Sequence, residues 1–201
     1  MKPVSAADGP RAEVSAALPA VPPSVSVDRA TREDVASSLA ALRHDAKHDA
    51  AARAALAMLG DETEAIDRIS AIVGAASADE NGLYGLALRL DGDGDTADAT
   101  GVLCVLAGMP GGAAAGLLAL AVLATRAARM DLAAALVAAN IDSEERHPRA
   151  CSLAGIVELA QGNRSAAQAW LASASRIARR RPEFRPELQL AQRALLLMHL
   201  G

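Results

Sequence analysis

From Thr31 to Leu200 the apolar residues return every three or four positions, in stretches separated by short polar or glycine-containing turns. That interval places them on one face of an α-helix. No segment alternates apolar and polar residues with period two, so the pattern predicts an all-α protein. Thr31, with Asp34 three residues on, predicts the first helix start, near a capping box. Ahead of it, residues 1–29 carry Pro3, Pro10, Pro19, Pro22 and Pro23 among Ser, Ala and Val. They are expected to form a disordered tail, leaving residues 30–201 as one helical domain. Residues 184–200 predict an amphipathic closing helix.

The stretch LAGIVELAQGNRSAAQAWLASASRIARRRP, residues 153–182, reads as two helices around a tight turn at Gly162-Asn163, with alanine at many helical positions. Similar turns are read at Gly60-Asp61, Gly94-Asp95 and Met130-Asp131, giving spacings of 34, 36 and 32 residues. Five residues after the first member of each turn stand Ala65, Ala99, Ala135 and Ala167. Four further on come Ile69, Leu103, Ala139 and Leu171, and three beyond those Ile72, Leu106, Asp142 and Ala174. Seven residues upstream of the turns lie Arg53, Ala87, Leu123 and Gly155, and Pro110, Pro148 and Pro182 close the later units. Small residues at such places let paired helices approach closely, while the larger ones fill the space between units.

This phasing resembles the tetratricopeptide repeat family, over roughly residues 46–182, with the best unit at 148–181 and the next at 80–110. The sequence departs from the family pattern at Cys151, where tryptophan is usual, at Glu158, where tyrosine is expected, and at Pro182, which falls three residues late. In the third unit Leu123 and Asp142 occupy places that prefer small residues. The resemblance implies a right-handed superhelix of about four helix pairs with flanking helices at both ends.

Composition narrows the function. The chain of 201 residues is 52% hydrophobic but 1% aromatic, and its net charge is −4. The acidic balance and the scarcity of stacking platforms argue against nucleic-acid binding. Cys104 and Cys151 lie in apolar helical runs and read as small buried hydrophobes rather than a disulfide framework. Residues 102–124 carry no charge, but Met109-Pro110-Gly111-Gly112 divides them into two short helices, so no membrane insertion is expected. With no apolar leader after Met1-Lys2-Pro3, the expected location is cytoplasmic.

Three stretches invite a chemical reading. His44 and His48 share a helical face at metal-ligand spacing, but Arg43, Asp45, Lys47 and Asp49 around them make a solvated surface. Residues 91–95, Asp-Gly-Asp-Gly-Asp, open like a calcium loop, yet Thr96 and Val102 stand where glycine and glutamate are required. An inter-helix turn with Asp95 capping the next helix is expected instead. Arg176, Arg179, Arg180 and Arg181 complement the negative end of a helix and offer an acidic partner or a nucleic acid a second place to bind. No phosphate loop, catalytic triad or carboxylate pair is recognisable; the reading is not an enzyme, with no cofactor and no metal.

In the family that the chain resembles, the first helix of each unit lines the concave face. Carried onto this sequence, the resemblance marks Lys47, Ala50 and Ala54, then Asn81, Tyr84 and Leu88, then Leu117, Leu120 and Ala124, and finally Ser152, Ile156 and Leu159. The set is largely apolar; Lys47, Asn81 and Arg149 are the polar groups near it. An apolar groove suits a peptide or helical segment of a protein partner. Small size, groove and N-terminal tail are similar to the cytoplasmic chaperones of bacterial type III secretion systems. A scaffold subunit that self-associates through an apolar face is the alternative.

Overall fold

The computed structural model describes residues 29–74, 79–141 and 147–200; ten α-helices and no strand occur among them. The proline-rich segment 1–28 and Asp142 lie outside the described residues. A first helix, α1 (Arg29–Asp45), precedes four pairs: α2 (Ala50–Leu59) and α3 (Glu62–Val73), α4 (Glu80–Asp93) and α5 (Thr96–Gly108), α6 (Ala113–Arg126) and α7 (Met130–Ile141), α8 (Pro148–Ala160) and α9 (Arg164–Ala178). A short 3-10 turn at Pro182–Phe184 leads into α10 (Arg185–Leu200). The first helix therefore starts two residues before Thr31, which lies inside it.

Besides Gly111, four of the described residues have a positive φ: Gly60 (79°), Gly94 (92°), Ala128 (57°) and Gly162 (84°). They recur every 34 residues. The third turn is thus at Ala128, not at Met130-Asp131, because α7 already begins at Met130. Backbone hydrogen bonds close α6 as they close α4 and α8: Arg129 N–H donates to Ala124 O (2.9 Å), Asp95 to Leu90 (2.8 Å) and Asn163 to Glu158 (2.9 Å). This closure satisfies the last carbonyls of each helix and needs a left-handed residue.

Moving the third unit back by two residues repairs its pattern. The small residue after the turn becomes Ala133 instead of the half-buried Ala135, so that Ala65, Ala99, Ala133 and Ala167 are all at most 1% exposed. Val137 replaces the exposed Ala139 beside the buried Ile69, Leu103 and Leu171, and Asn140 replaces Asp142. Upstream, Ala121 takes the place given to Leu123. Close approach explains the small residues: a Cβ on Gly155 would lie 2.6 Å from Leu171 Cγ and 3.2 Å from Ala167 O. Ala51 and Ala178, which have no place in the repeat, are buried as well.

The pairs α4–α5, α6–α7 and α8–α9 pack as hairpins and stack in order through α5 on α6 and α7 on α8. The first pair departs from this scheme. At Gly60 ψ is −132°, against −1° at Gly94, so the chain leaves α2 in another direction. Instead of pairing closely with α3, α2 packs on α7 and α5, its buried face made of Ala51, Ala52, Ala54 and Ala55. Cys104 Sγ donates to Ala55 O at 3.4 Å across that contact, and burial pushes its thiol up to about 12. One continuous core runs from α1 to α8, and a smaller one around Cys151, Leu171, Ala174 and Ala191 fixes α10.

Capping follows backbone direction. Asp49, Asp61, Asp79 and His147 have extended ψ (125°, 113°, 163° and 132°), and each accepts a hydrogen bond from the next helix's first turn. Asp95 and Asn163 instead have ψ of 56° and 65° and make no side-chain cap. Asp95 is therefore the positional cap of α5 without the bond expected of it. Residues 102–124 are divided between α5 and α6, and among the described residues no helix is long and apolar enough to cross a membrane.

Candidate functional site

The 34-residue interval decides which side chains of the first helices share a surface. On α4, α6 and α8 it aligns Tyr84 with Leu118 and Ser152, Leu88 with Val122 and Ile156, and Asp91 with Thr125 and Leu159. Most of these border three adjoining hollows. The first, about 410 Å³, lies among Tyr84, Leu118, Asn140, His147 and Arg149. The second, about 220 Å³, lies among Tyr84, Leu88, Asp91, Val122 and Arg149. The third, about 350 Å³, is enclosed by Val122, Thr125, Arg126, Ile156, Glu187 and Leu190 together with Arg149. Arg149 borders all three.

Two ion pairs cross this surface. Arg149 on α8 donates from Nε (2.9 Å) and Nη2 (2.5 Å) to Glu187 Oε1 on α10, and from Nη1 to the Tyr84 hydroxyl on α4 at 3.3 Å. Burial works against the guanidinium charge, but Glu187 and then Tyr84 outweigh it and raise its pKa. Arg126 pairs with Asp91 Oδ2, while the buried Oδ1 of Asp91 has no partner among the described residues. His147 takes the N-cap of α8 by accepting the Arg149 N–H at Nδ1 (3.2 Å). Its pKa is lowered, first by burial and then by the Arg149 charge. Its ring meets Phe184 edge-on, with centroids 4.8 Å apart.

Several residues marked from the sequence belong to this surface: Tyr84, Leu88, Arg149 and Ile156 all border a hollow. Others do not. Leu120 and Ala124 are fully buried, and Leu117 is 7% exposed; with the turn at Ala128 they lie two residues out of register with Tyr84 and Leu88 and face the core. The residues two positions earlier, Ala115, Leu118 and Val122, border the hollows instead. Ser152 is in phase but fully buried, and its hydroxyl has no partner among the described residues. Asn81 is exposed and Leu159 half-buried, and neither borders the three hollows. Lys47 is exposed in the turn before α2, and Ala54 is buried, because α2 packs on α7 rather than joining α4, α6 and α8.

Compared with protein-family models, with curated proteins and with solved structures, the chain matches none.

The other candidate stretches resolve simply. His44 and His48 are exposed. Among the described residues no group of three or more His, Cys, Asp or Glu is arranged to hold a metal ion. Residues 91–95 end α4 and make the left-handed turn at Gly94. Sequence reasoning missed Glu187, Leu190, Asp91 and Arg126. A strict 34-residue step would have found Leu118 and Val122, whereas nothing in FRPELQL marks Glu187 as the partner of an arginine on another helix.

Proposed function

We propose that this protein is an interaction module of the tetratricopeptide type, holding an apolar segment of a protein partner in the groove formed by α4, α6, α8 and α10. The constant 34-residue step and the small residues at the hairpin crossings support the family reading. The observation that carries the function is the exposure of Leu88 (56%) and Leu190 (44%), which border hollows sharing Val122 and Arg149. Large aliphatic side chains left open beside hollows gain most from a ligand that covers them. A helical segment with apolar side chains three and four residues apart offers such cover. A chaperone role, resembling that of the cytoplasmic chaperones of type III secretion, would use the groove to shield an apolar stretch of its client.

The test is to select helical peptides on the full chain and measure their affinity for single variants. Leu88→Asp and Leu190→Asp should each weaken binding by roughly tenfold or more, about 1.4 kcal/mol, with the helical circular dichroism unchanged. Wild-type affinity in both would remove the groove from consideration. A second reading, a self-associating scaffold, draws on Leu196 and Leu197 of α10, 60% and 69% exposed. It requires a dimer or larger species in light scattering that Leu197→Asp converts to a monomer.

A further inference from the structure

We propose that the C-terminal end of α9 and the facing turn of α10 form a binding site for a single phosphate group, separate from the groove. A cavity of about 390 Å³ lies between the two helices, bordered by Ser175 and Arg176 on α9, by Arg179 and Arg180 in the turn that follows it, and by Gln192 and Leu195 on α10. The three arginines come together at the end of α9, where they border one cavity. None of the three pairs with a carboxylate among the described residues; Arg176 reaches only Ser173 Oγ, at 3.4 Å. A helix end carries about half a negative charge, so three guanidiniums exceed what its dipole requires.

A tetrahedral oxyanion suits such a border, its oxygens accepting from the guanidinium forks. A nucleic acid fits less well. It needs a track of cations and stacking rings, whereas this cavity has Leu195 and Ala172 beside its arginines, no aromatic border, and belongs to a chain of net charge −4. The ligand is therefore free phosphate or a phosphate monoester.

The experiment is a titration of the full chain with inorganic phosphate, and in parallel with O-phosphoserine, at constant ionic strength, followed by amide chemical shifts. Saturable shifts are expected at residues 172–180 and 192–195. Arg176→Gln combined with Arg179→Gln should weaken binding by roughly tenfold or more, since charge-assisted hydrogen bonds are the strong ones. Arg89→Gln, an exposed arginine on α4, should change nothing. Tighter binding of phosphoserine assigns a monoester, and tighter binding of phosphate the free ion. Shifts that do not saturate, or that survive the double arginine variant, overturn the proposal. So does a single-stranded oligonucleotide that binds more tightly than either ligand, with steep salt dependence.

Discussion

Arg149 Nε and Nη2 both donate to one oxygen, Oε1 of Glu187, and so tie α8 to α10 beside the groove. The arginine side chain is 42% exposed but the carboxylate only 6%, so the two ends of the pair are not equivalent. Truncating the arginine strands a buried acid. Arg149→Ala should therefore cost about 1–3 kcal/mol in urea unfolding, and adding Glu187→Gln should return part of that loss. Equal stability of Arg149→Ala and wild type would show that the pair contributes nothing net.

The hydrogen bond at His147 makes the start of α8 sensitive to acid. Burial first, then the Arg149 and Arg181 charges, lower the imidazole pKa, and Glu187 only partly opposes them. The unfolded chain, with an ordinary value of about 6.5, then binds more proton than the folded one. The contribution of neutral His147 is fully present above that value and is lost as pH falls through the lowered folded value. Between pH 7 and 5 the melting temperature should fall less steeply in His147→Asn, which keeps a capping acceptor. Parallel slopes in the two proteins would place the acid sensitivity elsewhere.

The phase of the third unit is open to direct test. Ala133 is fully buried and Ala135 half-buried. Ala133→Leu should overpack the crossing of α6 and α7 at a cost of roughly 1–3 kcal/mol. Ala135→Leu should cost clearly less, and Ala138→Leu, at an exposed site, least. The reverse order would restore the turn to Met130-Asp131.

Ala128 stands where its three counterparts are glycines, at φ 57°. Ala128→Gly should raise stability by about 0.5–1 kcal/mol, as the left-handed strain of an L-residue exceeds the added freedom of the unfolded chain. Gly94→Ala should do the opposite. No atom lies within 4 Å of the added methyl there, so the loss would measure backbone strain alone.

Ala128 also explains how far the sequence could be read. The all-helical class, the hairpins around Gly94 and Gly162 and the closing helix were legible because glycine marks the turns and apolar spacing marks the faces. The third turn has no glycine, and in a run such as Leu132-Ala133-Ala134-Ala135 an alanine lies five residues from either proposed turn. The pattern could not correct its own phase, and the groove positions on α6 were misplaced with it. Tyr84, marked from the sequence, borders two of the hollows, but no spacing announces that its hydroxyl is engaged by Arg149 of α8. The lodging of α2 against α7 depends on ψ at Gly60, a torsion that no residue type specifies.

That lodging gives the chain a clasp. Arg129 Nη2, at the entrance to α7, donates to Ala57 O of α2 across 72 residues of sequence, at 3.4 Å. A helix that leans only on its neighbours can settle as soon as they are made. The part of the buried face of α2 that meets α7, unlike the part that meets α5, has to wait for a surface that the ribosome supplies much later, on the order of 4–14 seconds at ordinary elongation rates. Until then, the nascent chain carries an apolar helix whose seat is complete only once α7 has emerged.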